Sequence, residues 1–151
     1  MDDPRQKKDY IKNYNRLIGV SYPLFLISAQ QICMENNINI ARKWFEAFNR
    51  HELERLLALY DDNAAHYSPK LKIRQPETNG YVKGKDALRA WWQDAFDRLP
   101  TLHYEVTSLT ANNERVFMEY VRQVGNEPDM LVAEVLEIKD GLIVASRVYH
   151  G

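Results

Sequence analysis

The order of its predicted elements limits this chain to few folds, because helical patterns come first and strand patterns follow. Apolar residues recur at helical spacing before Pro100, whereas apolar and polar residues alternate from there to the C-terminus. A doubly wound parallel sheet needs strands and helices in alternation, so this order excludes it. The sequence predicts an α+β domain in which a strongly curved, mainly antiparallel sheet wraps around three N-terminal helices and leaves a pocket.

Three helices and five strands are predicted from spacing and turn residues. The helices cover residues 39–49, 52–60 and 84–99, and Pro100 ends the third. A short strand is predicted at 64–68, and four longer ones at 102–110, 115–124, 130–139 and 142–150. Asp140-Gly141 predicts a tight hairpin between the last two strands. The basic segment 70–80 is predicted as a loop, either a lid over the pocket or a simple connection.

Composition excludes several function classes. The chain has 151 residues with a net charge of −1, which predicts neither nucleic-acid nor membrane binding. A single cysteine, Cys33, rules out an internal disulfide and favours a reducing, cytoplasmic location. The four histidines have no metal-site spacing, and no nucleotide-binding or hydrolase motif occurs. The prediction is therefore a protein without metal or cofactor.

Residues 1–35 differ from the domain predicted at 36–151. They combine a basic start with a short apolar stretch that ends at Ala29, which resembles a signal peptide and would imply export. Two other interpretations fit as well. Translation could begin at Met34, or the segment could be an extension that packs on the domain or on a partner.

Five short motifs resemble the nuclear transport factor 2-like superfamily, and within it the SnoaL-like group. These motifs lie at residues 44–53, 59–62, 67–69, 84–91 and 136–143. The resemblance implies a cone-shaped fold (cystatin-like or NTF2-like) that often dimerises through the outer face of its sheet. Members include ketosteroid isomerases, polyketide cyclases, epoxide hydrolases and non-catalytic binding proteins, so the fold alone does not determine the function.

The resemblance to ketosteroid isomerases can be tested residue by residue. Those enzymes use a carboxylate base together with a tyrosine and a protonated carboxylic acid that hold the oxyanion. The motifs place Ser68 at the base position, Trp44 at the tyrosine position and Glu134 at the acid position. A serine hydroxyl is no base at neutral pH without a helper, so ketosteroid isomerase activity is not predicted.

Glu134 is the main candidate for catalysis. It shares a strand face with Val132, Leu136 and Ile138, so burial is expected to raise its pKa and make it a proton or hydrogen-bond donor. A strand-end charge that reaches solvent or pairs with Arg122 is the alternative. An epoxide hydrolase would need a second pocket acid, which the sequence does not supply.

His66 and His150 are the candidate general bases, with Glu134 as a partner. Structural hydrogen bonding is the alternative role for both histidines. His51 and His103 are expected at the surface. The predicted pocket walls are Trp44, Tyr67, Ser68, Trp92 and Leu136.

These predictions define two rival functions. The first is a homodimeric domain that binds a small, largely apolar molecule and acts on it as a cofactor-free isomerase or cyclase. The second is a non-catalytic binding module or interaction dimer. The pattern puts Met118, Tyr120 and Arg122 on one strand face without showing whether that face lines the pocket.

Overall fold

The computed structural model of the protein describes residues 28–150. Its α-helices are α1 (Ala29–Asn49), α2 (Leu53–Leu57), α3 (Pro69–Arg74) and α4 (Lys85–Arg98), with a 3-10 helix at Pro76–Thr78. Its strands are β1 (Tyr60–Tyr67), β2 (Tyr81–Lys83), β3 (His103–Ala111), β4 (Arg115–Gln123), β5 (Met130–Lys139) and β6 (Leu142–His150). None of the described helices is both long and apolar enough to cross a bilayer.

The six strands form one open, mixed sheet in the order β2-β1-β6-β5-β4-β3. All neighbours pair antiparallel except β1 and β6, which run parallel. The predicted α+β class is confirmed. The last four strands form the predicted meander, and the Asp140-Gly141 turn joins β5 to β6. Both turn residues have positive φ, 52° and 77°, as a tight two-residue hairpin requires.

Three elements after the first helix differ from the prediction. The predicted second helix ends at Leu57, and Tyr60 begins β1, because pairing with β6 holds this segment extended. The predicted loop 70–80 contains α3 and the 3-10 helix, and β2 was not predicted. Strands β1 and β2 therefore lie between helices in the chain, although the long strands do follow the helices.

Helix α1 begins ten residues before its predicted start. Ser28 caps it, because its hydroxyl oxygen accepts a 3.1 Å hydrogen bond from the backbone N–H of Gln31. The helix runs without interruption through residue 35, the predicted limit of the N-terminal extension. The signal-like stretch lies almost wholly in residues 1–27, outside the described residues.

The core lies between the helices and the concave face of the sheet. Alternating residues of β4 and β5 point into it, and the side chains of Val116, Met118, Val132 and Leu136 are buried there. Trp44 of α1 stacks against Phe48 and faces Tyr104 of β3, with ring centroids 5.0 and 5.9 Å away. This aromatic layer closes one end of the core and forms part of the wall of a cavity.

Candidate functional site

A cavity of about 300 Å³ opens between the helices and the concave sheet face. This size falls at the lower end of small-molecule sites. Its floor is buried and carries Trp44, His66, Tyr120 and Glu134. Its rim is more exposed and is built from α3, the C-terminal end of α4 and the ends of β4 and β6. The full lining consists of Trp44, Phe48, His66, Ser68, Lys70, Ile73, Arg74, Trp91, Trp92, Ala95, Arg98, Leu99, Leu102, Tyr104, Tyr120, Arg122, Glu127, Val132, Glu134, Val148 and His150.

Glu134 is a buried carboxyl with one unused oxygen. The hydroxyl of Tyr120 donates a 2.8 Å hydrogen bond to Oε2, whereas Oε1 has no partner among residues 28–150. Burial raises the pKa of Glu134 to about 7, although the hydrogen bond from Tyr120 lowers it in part. Near neutral pH a substantial fraction of this carboxyl is therefore protonated. A proton on Oε1 makes Glu134 a hydrogen-bond donor at the cavity floor.

Two tyrosines accompany this carboxyl and stay neutral. Burial and the charge of Glu134 raise the pKa of both Tyr120 and Tyr104. Their rings pack with centroids 4.5 Å apart. Tyr120 therefore acts as a hydrogen-bond donor to Glu134 and is not itself a proton acceptor near neutral pH.

A second polar chain leads from Trp44 to His66. The indole Nε1 of Trp44 donates to the Tyr60 hydroxyl at 2.9 Å, and that hydroxyl donates to Ser146 Oγ at 3.5 Å. Ser146 Oγ lies 2.7 Å from His66 Nδ1. An indole N–H can only donate, so Trp44 fixes the direction of the chain. Tyr60 then donates to Ser146, and the Ser146 hydroxyl donates to Nδ1 of His66, which is therefore an acceptor. This order places the imidazole proton of His66 on Nε2.

His66 is consequently a neutral donor. Burial lowers its pKa to about 4, so the ring is uncharged at neutral pH. Its basic nitrogen, Nδ1, is occupied by Ser146, and the N–H at Nε2 has no protein acceptor among the described residues. The ring edge packs on Trp92, with centroids 5.6 Å apart, and this holds its orientation. His66 can donate a hydrogen bond to a ligand but is poorly placed to accept a proton.

His150 at the end of β6 is the better base. It lines the cavity and is half-buried, and burial lowers its pKa, with further lowering by the charges of Lys70 and Arg122. It is therefore neutral and can accept a proton at neutral pH. Val132 pairs with His150 and Glu134 with Val148, so the base and the acid are diagonal neighbours on the concave face. The backbones of such neighbours lie roughly 7–8 Å apart, and both side chains line the cavity.

The comparisons with known proteins identify the family. The model of the SnoaL-like domain matches residues 41–146, which is most of the described chain. The protein belongs to the SnoaL-like family. No curated protein matches the chain.

Solved structures with the same fold extend this result. A SnoaL-like protein of unknown function from Burkholderia thailandensis is 26% identical, with a TM-score of 0.71 over 78% of this chain and 95% of that one. A proposed ketosteroid isomerase from Kribbella flavida is 21% identical, with a TM-score of 0.65 over 78% and 79%. A proposed polyketide cyclase from Sinorhizobium meliloti is 15% identical, with a TM-score of 0.63 over 74% and 94%. At these identities the last two show the fold alone.

The SnoaL-like fold brings most of the predicted site residues to one cavity. Its lining includes Trp44, His66, Ser68, Trp92, Glu134 and His150. Tyr67 and Leu136 lie elsewhere. Tyr67 alternates with the inward His66 and packs on Tyr81 of β2, with ring centroids 4.9 Å apart, and Leu136 is fully buried in the core.

The other two histidines of the SnoaL-like domain, His51 and His103, lie outside the cavity lining. His103 is exposed, as expected. His51 is half-buried, which corrects the expectation of a surface position. It stacks on Phe96 with centroids 4.5 Å apart, and its Nε2 lies 3.0 Å from the carbonyl oxygen of Leu102. This ring joins the α1–α2 turn to the segment before β3.

Several lining residues of the SnoaL-like cavity were not assigned from the sequence. The face shared by Met118, Tyr120 and Arg122 points inward, and all three side chains are buried. Tyr120 and Arg122 line the cavity, whereas Met118 belongs to the core. The sequence held a signal for this, because the opposite face of the strand carries Arg115 and Glu119. Lys70, Arg74, Arg98 and Glu127 at the rim gave no such signal. Among residues 28–150 no three His, Cys, Asp or Glu side chains converge on a possible metal site.

Proposed function

We propose that this SnoaL-like protein binds a small, largely apolar carbonyl compound in its cavity and acts on it by cofactor-free acid–base chemistry. The observation that carries the proposal is Glu134, a fully buried carboxyl whose Oε1 has no protein partner. A buried polar atom of this kind costs stability unless a ligand uses it. A carbonyl oxygen is the ligand group that suits a protonated Oε1.

The reaction follows from the positions of the acid and the base. His150 takes a proton from the carbon next to the carbonyl group. The electrons of that C–H bond form a carbon–carbon double bond, and the π electrons of the carbonyl group move onto its oxygen. Glu134 donates a hydrogen bond to this oxygen as its negative charge develops, and the Nε2–H of His66 is a second donor on the same floor. Protonated His150 can return the proton to another carbon, which completes an isomerisation. In a cyclisation, the enolate carbon instead attacks a second carbonyl group of the same molecule while the first carbonyl group re-forms. The π bond of the attacked group breaks, and its oxygen takes the proton from His150.

Deuterium exchange tests this chemistry without knowledge of the natural substrate. An apolar ketone such as 2-acetylnaphthalene, incubated with the protein in D₂O, should gain deuterium at its methyl group, as followed by proton NMR. His150→Gln should abolish the exchange, and Glu134→Gln should reduce it by about 10²-fold or more while binding is retained. His103→Gln, at an exposed histidine outside the cavity, is the matched control and should exchange at the wild-type rate.

A non-catalytic binding module is the alternative function. Ser68 favours this alternative, because it lines the cavity at the position that holds the carboxylate base in ketosteroid isomerases, which this chain resembles. A serine hydroxyl cannot replace that base without a helper. A pure binder would retain the ketone but give no exchange above solvent, and Glu134→Gln would change neither property by much. Native mass spectrometry of the purified protein, gently desolvated, would then identify the class of any co-purifying molecule. Both proposals take the protein to be cytoplasmic, because its single cysteine, Cys33, cannot form an internal disulfide.

The proposal includes a homodimer formed through the outer face of the sheet. Three large apolar side chains on this face remain substantially exposed: Phe117 at 42%, Leu131 at 69% and Tyr149 at 49%. They lie on the outer face of the adjacent strands β4, β5 and β6. Exposed apolar side chains on one sheet face are a feature of protein–protein interfaces.

A further inference from the structure

The rim of the cavity carries more positive than negative charge. Its basic side chains are Lys70, Arg74, Arg98 and Arg122, and its acidic one is Glu127. The chain as a whole has a net charge of −1, so this excess is local. A local excess of positive charge in a concave site attracts anionic ligands.

The ion pairs at the rim leave part of this charge uncompensated. Arg122 pairs with Glu127 at 2.6 Å. Arg98 and Arg74 share a single carboxylate, that of Asp94, at 2.8 and 3.7 Å. No residue between 28 and 150 forms an ion pair with Lys70. After these pairings about two positive charges remain at the rim.

Helix α3 presents the basic rim to the cavity. Lys70, Ile73 and Arg74 follow the i, i+3, i+4 spacing and all line the cavity, so they share one face of the helix. Leu71 is fully buried and holds the helix on the domain. Ile73 is 77% exposed beside the two cations. An apolar side chain flanked by cations suits a ligand with an apolar body and an anionic group.

The cations at the rim also repel one another. Burial lowers the pKa of Lys70, the charges of Arg122 and Arg98 lower it further, and the charge of Glu127 raises it only in part. The charges of Lys70 and Arg122 likewise lower the pKa of His150. The three groups are therefore close enough to interact. A second anion beside Lys70 would relieve this repulsion and raise the pKa of Lys70 and of His150.

The two ends of the cavity thus select different groups of one ligand. The floor offers the neutral donors Glu134 and His66, whereas the rim offers Lys70 and Arg74 on one face of α3. The walls between them are apolar and consist of Trp91, Trp92, Ala95, Leu99, Leu102, Val132 and Val148. Resting on the function proposed above, we propose that the ligand is an organic acid, with its carbonyl group at Glu134 and its carboxylate beside Lys70 and Arg74.

A pair of probes separates the carboxylate from the rest of the ligand. 6-Acetyl-2-naphthoate carries a ketone and a carboxylate at opposite ends of an apolar body, and its methyl ester lacks only the charge. Isothermal titration calorimetry should show the acid binding about tenfold or more tightly than the ester. Added salt should weaken binding of the acid and leave the ester almost unaffected.

Two variants locate the carboxylate site. Lys70→Gln should reduce the affinity for the acid about tenfold and leave the ester unchanged. Lys72→Gln is the matched control, since Lys72 lies on the same helix but is exposed outside the cavity lining, and it should change neither affinity. Saturation with the acid, but not with the ester, should raise the pKa of His150 as followed by NMR titration of its ring protons.

The outcomes distinguish this inference from the function on which it rests. The carboxylate site would be overturned if the acid and the ester bound equally tightly. It would also be overturned if Lys70→Gln and Lys72→Gln reduced the affinity for the acid equally. In both cases the ketone-binding function would stand. Deuterium exchange of the neutral 2-acetylnaphthalene tests that function separately. If neither naphthalene probe binds, both proposals are overturned together.

Discussion

Glu134→Gln should change the pH dependence of stability in a way that follows from the burial of this carboxyl. The pKa of Glu134 rises from its ordinary value of 4.5 to about 7 in the folded protein. Between these two values the folded state keeps a proton that the unfolded state has lost. The free energy of unfolding contributed by this group therefore falls as pH rises through this window and levels off above about pH 7. Each pH unit corresponds to about 1.4 kcal/mol, so the total is about 3 kcal/mol.

His66 hides this effect in the wild-type protein, because its contribution has the opposite sign. Its pKa falls from 6.5 to about 4 on folding, so in this interval the unfolded state holds the extra proton. The free energy of unfolding from His66 rises with pH over that window, again by about 3 kcal/mol. The two contributions overlap and nearly cancel. Glu134→Gln removes the falling one and should reveal the rising one.

The assay is urea unfolding followed by tryptophan fluorescence at a series of pH values from about 4 to about 8. The difference in free energy of unfolding, wild type minus Glu134→Gln, should fall by about 3 kcal/mol across this range. Glu119→Gln, at an exposed carboxyl on the outer face of β4, is the matched control. Parallel curves for wild type and Glu134→Gln would refute the argument that burial keeps this carboxyl protonated.

Three further predictions concern the hydrogen-bond partners of Glu134 and His66 and the proposed dimer. Tyr120→Phe removes the hydrogen bond that favours the carboxylate, so the pKa of the buried carboxyl should rise further and the exchange activity should extend to higher pH, measured as a pH–rate profile. Ser146→Ala should cost about 1–3 kcal/mol, because it leaves the buried Tyr60 hydroxyl without an acceptor, and nitrogen NMR should show His66 losing its preference for the Nε2–H tautomer. Leu131→Lys on the outer sheet face should convert a dimer to monomers in light scattering, whereas a wild-type monomer would refute the proposed interface.

Local pattern was sufficient to predict the C-terminal half of the fold. Four strands with regular alternation and an Asp-Gly turn specify their own neighbours, because each hairpin pairs segments that are close in sequence. The start of β1 could not be predicted in this way. Leu56, Leu57 and Tyr60 fit a helical stripe, yet Tyr60 pairs with Ile143 more than eighty residues away. Tertiary pairing overrides local preference there.

The candidate site was predictable to the extent that it depends on strand alternation. Glu134 stands out because a carboxyl occurs among inward apolar residues, and that observation needs no coordinates. The polar chain from Trp44 through Tyr60 and Ser146 to His66 could not be found from the sequence, because these four residues come from α1, β1 and β6. The basic rim was equally hidden. A segment predicted as a loop is a short helix, and only helical spacing places Lys70 and Arg74 on one face.

The two polar systems of this cavity make sense as a functional site and poorly as a stabilising core. A carboxyl and an imidazole that both resist ionisation cost the fold free energy whenever the pH favours their charged forms. Apolar side chains of similar volume at Glu134 and His66 would pack without that cost. The surrounding structure instead holds both groups, through Tyr120 and Ser146, so that one unused donor of each remains on the cavity floor. In the proposed reaction, Glu134 and His66 on the floor polarise the carbonyl group, and His150 at the rim removes the adjacent proton.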